Sequence, residues 1–395
     1  MIYREFIEKL TKYYQKIAVK EVNCAPVIHS GFPGNFNLSV TEYEFLNQNS
    51  NFLDLKKDMV YAKTQACIRF NDFNHIQHEN ADSYRYLVRF TIATPGGIFW
   101  QKDRSLRDSR HRESIHNNIN FLTQECGLDI DKIHIQYLSG GKISEITNGK
   151  YMLNKEIPAD PYLNFYRELG IPEKNFIPVQ NRDGLLSLNV YGRTTPWGYR
   201  NEIFYEYKGK LLDIGTVENL IFEPIYNTDD YDGEGELIDL IDYKHTLTLG
   251  GIGVERVLMV MNGFSHVNEL DIISEPAKVL APYLEPLTAR QLVQTLRAIS
   301  LIVADGGKYE NLEKRRKEKM RVFWQHAHSI INSKQVPLDV IKKVLSAICE
   351  TEPMYPQMKK SIEDVINEYK LFCLRNKYDQ RWHEHLEEVD LIYTP

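Results

Sequence analysis

The chain has 395 residues, a net charge of −6, 43% hydrophobic residues and 26% charged residues. That balance excludes a disordered or fibrous chain and supplies apolar side chains for a buried core in about two or three domains. The acidic sum excludes nucleic-acid binding by the overall field, so any such contact needs a local basic patch.

No apolar run reaches the length of a membrane-spanning helix. The opening Met1-Ile2-Tyr3-Arg4-Glu5-Phe6 lacks the basic-then-apolar order of a signal peptide. Five cysteines (Cys24, Cys67, Cys126, Cys349, Cys373) are odd in number and scattered, with no CxxC or His-x-x-x-His pattern. Reduced thiols in a cytoplasmic protein are expected from that usage, with no membrane contact.

In chain order, Phe6, Ile7, Leu10 and Tyr14 recur at helical spacing and predict an amphipathic helix over residues 5–16. The stretch from Pro26 to Ser50, rich in Gly, Pro and Asn, reads as loops and short strands. Met59–Ala62 and Ala66–Phe70 read as strands. Tyr84–Thr94 is dense in β-branched and aromatic residues and reads as a strand ending in a turn at Pro95-Gly96-Gly97. Mixed helix and strand follow from about Arg112 to Leu169. Leu186–Val190, Glu202–Tyr207 and Leu211–Phe222 read as strands of an antiparallel sheet. Ile252–Met261 reads as helix, and so do Ala289–Ala304, Leu312–Ile331, Leu338–Glu350 and Met358–Asn376. The expected class is α+β: a mixed front of roughly 265 residues, then an all-helical rear, with a soft boundary near residues 265–280.

Two segments carry chemistry. In Gly250-Gly251-Ile252-Gly253-Val254-Glu255-Arg256-Val257-Leu258, glycines allow a tight turn into a helix and the Arg presents a planar cationic fork to a polyphosphate. Alone, such a segment is more often a structural cap than a phosphate site. Arg69 ends a β-run before the polar loop 71–83, and the returning strand carries Arg85 and Phe90. An Arg there can neutralise a phosphate oxygen under attack by an acyl oxygen, and an aromatic opposite can stack on a base. The alternative for each residue alone is a surface Arg and a core Phe.

Together these segments resemble class II aminoacyl-tRNA synthetases, whose motif 2 is a strand-loop-strand with Arg and whose motif 3 is a G-x-G-x-E-R strand-helix. The resemblance narrows to the alanyl branch. Gln65-Ala66-Cys67-Ile68-Arg69 is similar to that family's Q-x-C-I/V-R, and Gly170-Ile171-Pro172 with Asn175-Phe176-Ile177 to its G-I-P stretch. Pro196-Trp197-Gly198 leading to Glu202-Ile203-Phe204-Tyr205-Glu206 resembles its P-C-G-P-C-T-E-I-F-Y-D, and Asn219-Leu220-Ile221-Phe222 its N-I-V-F. Arg297, Ala304-Asp305-Gly306 and Glu310-Asn311 resemble the first helices that grip the tRNA acceptor stem.

The resemblance implies a class II antiparallel β-sheet flanked by helices over residues 1–268, and a helical domain over 269–395 resembling the acceptor-stem recognition region. It implies ATP and Mg2+ as cofactors, with Arg69 and Arg256 catalytic, Arg85, Phe90, Asn219, Gly251 and Gly253 binding nucleotide, and Glu218 holding magnesium. A small amino acid, alanine or an analogue, would become an acyl-adenylate and pass to a tRNA, a carrier protein or a small molecule. The basic run Lys314, Arg315, Arg316, Lys317, Lys319 and Arg321 lies where the acceptor-stem helix would be, diluted by Glu313 and Glu318. His326, His328 and Trp324 just beyond it read as helix-surface and core residues. A homodimer through motif 1, the opening helix plus Val22–Ile28 with Pro26 or Pro33, is a further expectation.

Four departures bear on specificity. The family's amine-holding Asp at the start of motif 3 is Leu249 here, and a buried ammonium without a partner is costly. The family's E-I-W-N is Thr216-Val217-Glu218-Asn219, which moves the carboxylate. Trp197 and Tyr199 replace the cysteines of P-C-G-P-C. The resemblance covers neither an editing domain nor the domain after it, which implies a specialised paralogue, since small side chains are poorly discriminated by binding alone. The alternative is a catalytically lapsed relative that binds tRNA or amino acid as a regulator; Arg69 and Arg256 argue against it and Leu249 for it.

Overall fold

The computed structural model describes residues 1–29, 34–37, 40–41, 44, 52–78, 81–188, 193–227 and 235–375. Pro33, Val190, Asn376 and most of the 26–50 loop region fall outside these residues. The class is α+β, as expected: a sheet dominated by antiparallel pairs, flanked by helices and followed by a helical region.

Helix α1 (Tyr3–Lys16) buries Tyr3, Phe6, Leu10, Tyr13 and Tyr14, the apolar stripe that its spacing predicts. Short β1 (Glu21–Val22) pairs parallel with β2 (Met59–Ile68), which joins the two predicted strands into one. After β2 the chain makes a 3-10 turn and helix α2 (Phe73–Gln77), then returns as β3 (Arg89–Gln101).

β3 corrects two expectations. The strand starts at Arg89 and not at Tyr84, because Ser83–Arg85 form a 3-10 turn. It also runs through Pro95-Gly96-Gly97, where a turn is expected from composition. The glycines answer crowding: a Cβ on Gly96 would lie 2.5 Å from Gly250 Cα and 2.8 Å from the Ser114 carbonyl. Gly97 has φ +77°, a conformation that favours glycine, and the ladder shifts register opposite, between Gly250 and Ile252.

Helix α3 (Arg107–Asn120) packs on the sheet, followed by β4 (Ile133–Leu138), the small pair β5 (Gly141–Lys142) and β6 (Glu156–Ile157), and between them α4 (Ile143–Ile146). Then come α5 (Leu163–Glu168), β7 (Phe176–Val179), β8 (Leu185–Ser187), β9 (Trp197–Tyr207), β10 (Lys210–Tyr226), β11 (Leu237–Asp242), β12 (Thr246–Gly253) and α6 (Val254–Met261). Among the described residues the large sheet has 10 strands in the order β1-β2-β3-β12-β10-β9-β4-β7, with β11 beside β10 and β8 beside β9.

Among the described residues from Asp271 onward every regular element is helical: α7 (Asp271–Leu280), α8 (Pro286–Ala304), α9 (Lys314–Ser333), α10 (Leu338–Thr351), α11 (Pro356–Lys360) and α12 (Ile362–Arg375). The last predicted helix is thus broken at Ser361. None of the described helices is long and apolar enough to cross a membrane.

Strand alternation gives the sheet two unlike faces. One face packs on α1, α3, α6 and the later helices, with Arg89, Thr91, Val217, Thr248 and Gly250 directed toward them. The other carries Phe90, Ile92, Thr216, Glu218, Gly251 and Gly253 around a cavity.

Candidate active site

The β2–β3 hairpin builds the first wall. Arg69 follows the last residue of β2, and its N–H donates to the Val88 carbonyl at 2.9 Å, which closes the ladder. Its guanidinium lies 5.3 Å from the centre of the Phe90 ring and 3.9 Å from Asp72. Arg85, on the 3-10 turn, lies over Tyr86 at 5.1 Å, with Asp82 at 3.8 Å. Its Nε is buried with no hydrogen-bond acceptor among the described residues. A cationic donor without an acceptor on a cavity wall is costly unless an anionic ligand supplies one.

The second wall is the β12–α6 turn. Gly251 and Gly253 carry no side chain into the cavity, so the backbone itself forms the surface there. Arg256 stands in the first turn of α6. Its Nε donates to the Arg85 carbonyl at 3.2 Å, and its Nη1 to the Asp213 carbonyl at 3.0 Å and the Asp213 carboxylate at 2.6 Å. Nη2 makes no hydrogen bond among the described residues.

The floor is acidic. Glu202, Asp213 and Glu218 line the same cavity of about 310 Å³ as Arg69, Arg85, Phe90 and Arg256. Glu202 meets Arg200 at 3.1 Å. Burial, with the Asp213 carboxylate adding to it, pushes the Glu202 carboxyl up to about 7 from its ordinary 4.5. Arg69, Arg85 and Arg256 thus stand toward the hairpin and helix, with Asp72 and Glu255 among them, and Glu202, Asp213 and Glu218 toward β9 and β10, with Arg200 beside them.

Seven of the eight residues expected from the sequence line this cavity: Arg69, Arg85, Phe90, Glu218, Gly251, Gly253 and Arg256. Asn219 is not brought there. It is fully buried and pairs in register with Thr248, whose hydroxyl lies 2.9 Å from His111 of α3 on the opposite face. Alternation along β10 makes that unavoidable once Glu218 faces the cavity.

Glu202 and Asp213 were not singled out by sequence reasoning. Counting by twos from Glu218 turns Asp213 away from the cavity, but a register shift between Asp213 and Gly215 re-aims it. The motif run that begins at Glu202 carried a signal, since Glu202 pairs with Thr216.

The basic run on α9 divides into two sets. Arg316 is buried and donates to the carbonyls of Asn35 (2.7 Å) and His29 (2.6 Å), and Lys319 donates to the Gly34 carbonyl at 2.6 Å. These two hold His29, Gly34 and Asn35 and are corrected from free phosphate-binding cations to internal clamps. Lys314, Arg315 and Arg321 are exposed, and Lys317 is half-buried, 5.7 Å from the Tyr309 ring. Trp324 and His328 lie in the core and His326 is half-buried, against the Phe73 ring at 5.1 Å.

No protein-family model matches the chain. Among solved structures, it is similar to the pyrrolysyl-tRNA synthetase from Desulfitobacterium hafniense at 12% sequence identity, with a TM-score of 0.33, over 68% of this chain and 72% of that one.

Proposed function

We propose that the cavity binds ATP and a small amino acid and joins them as an acyl-adenylate, releasing pyrophosphate. The observation that supports this most is the buried Arg85 Nε, without an acceptor among the described residues, beside Arg69 on one wall, with Arg256 Nη2, which makes no hydrogen bond among the described residues, on the second wall of the same cavity. Three converging cations match a polyphosphate, and Phe90 offers a ring face for a base. In the proposed reaction a carboxylate oxygen of the acid attacks the α-phosphorus and the bond to the bridging oxygen of pyrophosphate breaks. Arg69 and Arg256 would neutralise charge on the α-phosphate oxygens as it develops, and the Gly251–Gly253 backbone would leave room for the phosphates.

Magnesium fits the carboxylates present. Among the described residues no group of three or more His, Cys, Asp or Glu side chains gathers as a metal cage. A magnesium ion needs only one or two carboxylates when phosphates complete its shell. Glu218 would hold it, with Glu202 and Asp213 on the same floor, and a cation there would offset the burial and the Asp213 repulsion that together raise the Glu202 carboxyl. When bound, it would neutralise charge on the departing pyrophosphate.

Alanine or an analogue is the first acid to test, and the exposed cations of α9 are the proposed contact for a tRNA acceptor. The competing reading, a lapsed relative acting as a regulator, draws support from the Asp213–Arg256 ion pair, which already engages the motif 3 Arg at 2.6 Å. Amino-acid-dependent pyrophosphate exchange over a panel of acids separates the two. Exchange with at least one acid is expected; no exchange with any, alongside retained tRNA binding, refutes the enzyme reading.

A further inference from the structure

The cavity uses one face of β3, and the other face carries a buried charge cluster, of which Glu255 also lines the cavity while Arg89, Arg297 and Glu352 do not. Arg89 and Arg297 are 2% and 1% exposed, and Glu352, between α10 and α11, is 1% exposed. The Glu352 carboxylate accepts from both arginines, from Arg89 Nη2 on one oxygen and from Arg297 Nε at 2.5 Å on the other. The arginines also exchange bonds with each other's backbone: Arg89 Nη1 donates to the Arg297 carbonyl at 3.1 Å, and Arg297 Nη1 to the Arg89 carbonyl at 3.3 Å. Tyr355 covers the Arg89 guanidinium at 4.6 Å.

A second carboxylate completes the cluster. Glu255, 2% exposed, accepts from the Thr91 N–H at 2.9 Å, and Arg297 is its largest charged influence. Two buried cations are thus balanced by two buried carboxylates drawn from β3, α6, α8 and the segment after α10.

The residues that the cluster grips flank the proposed site. Arg89 and Thr91 stand on either side of Phe90 in β3, and Glu255 immediately precedes Arg256 in α6. Buried ion pairs are poor stabilisers compared with apolar residues of the same volume, so their value here is directional. A guanidinium fork fixes distance and angle in a way that a packed side chain does not.

We infer that Glu352 is a positioning residue of the proposed active site: through Arg89, Arg297 and Glu255 it locks the helical region to β3 and α6 and so fixes Phe90 and Arg256 on the cavity wall. The inference rests on the ATP reading only for its kinetic readout. It makes the helical region part of the adenylation machinery, whatever acceptor that region contacts.

The test uses the full chain. Glu352→Gln keeps the shape and removes one buried charge. The KM for ATP should rise about two- to thirtyfold, the range of coupling through such networks, with the KM for the acid little changed. Glu352→Gln combined with Arg297→Gln restores charge balance, so its melting temperature should return toward wild type while the KM for ATP stays raised. A purely structural role would restore both together, and that result overturns the inference. Should Glu352→Gln alone fail to fold, the double variant carries the same measurements. Hydrogen exchange at the amides of residues 90–92 and 253–256 gives a readout independent of ATP. It should quicken in the variants, and wild-type exchange there overturns the positioning role. A wild-type chain that supports no pyrophosphate exchange refutes the ATP reading instead, and leaves hydrogen exchange to decide this one.

Discussion

Arg256→Ala isolates the electrostatic core of the proposed reaction. Three bonds hold this side chain, to the Arg85 carbonyl and to the carbonyl and carboxylate of Asp213, and in the proposed reaction Nη2 meets a phosphate oxygen. Losing one preorganised donor aimed at developing charge costs about 10²- to 10³-fold in rate, or about 3–4 kcal/mol. The cost to folding should be smaller, about 1–2 kcal/mol, because the Asp213 side chain is 37% exposed and can turn to water. Arg256→Lys keeps the charge but cannot reach both carbonyls and a phosphate at once, so an intermediate loss is expected. Pyrophosphate exchange at saturating acid measures the rate, and far-UV circular dichroism with a thermal melt confirms folding. Wild-type exchange in a folded Arg256→Ala variant would refute the assignment of this turn to the phosphates.

Phe90→Ala should raise the KM for ATP about five- to hundredfold, the worth of one base–aromatic stack, and an unchanged KM would return Phe90 to a packing role. Glu202 yields a pH test. Its folded carboxyl is raised to about 7 from 4.5, so its contribution to stability is fully present below about pH 4.5 and lost as pH rises through about 7. Melting temperatures of wild type and Glu202→Gln should therefore diverge across that window, with the wild type losing ground toward the alkaline end; parallel curves would contradict the raised value. On α9, replacing Arg315, Lys317 and Arg321 with Ala should flatten the salt dependence of tRNA affinity, by a slope of about 2–3 for three lost phosphate contacts. Arg316→Ala should instead lower the melting temperature, since its guanidinium binds the carbonyls of His29 and Asn35.

That most of the candidate residues share one cavity was legible in the sequence because each sits on an element with a strong local signal. Arg69 ends a β-branched run, and Gly251, Gly253 and Arg256 mark a turn into a helix, so strand alternation and helical phase carry them to one cavity. What the sequence hid depended on register and on tertiary crowding. The strand through Pro95-Gly96-Gly97 looks like a turn until Gly250 is known to press on Gly96. Asp213 is found only with the register shift in β10, and Asn219 is lost by the same alternation that gains Glu218. The Arg89–Glu352 pair joins residues 263 apart in the chain, beyond any local pattern.

Register also sharpens the question that Leu249 raises. Leu249 and Glu218 are direct partners across the β10–β12 ladder, so a leucine stands beside the carboxylate on the cavity face. β12 thus offers no carboxylate at that level, and Glu218 on the neighbouring strand is the closest in register. A single carboxylate there can serve magnesium or the acid's ammonium group, and the two roles leave different kinetic traces. In the magnesium role, Glu218→Gln raises the half-saturating magnesium concentration about tenfold or more and leaves the KM for the acid within about twofold. The opposite pattern, a raised KM for the acid at unchanged magnesium dependence, refutes the magnesium role and gives Glu218 to the amine. A panel that pairs each amino acid with its analogue lacking the α-amino group completes the experiment. If Glu218 serves magnesium, Leu249 leaves the ammonium without a carboxylate on β12, and the analogue should be activated nearly as well as the amino acid.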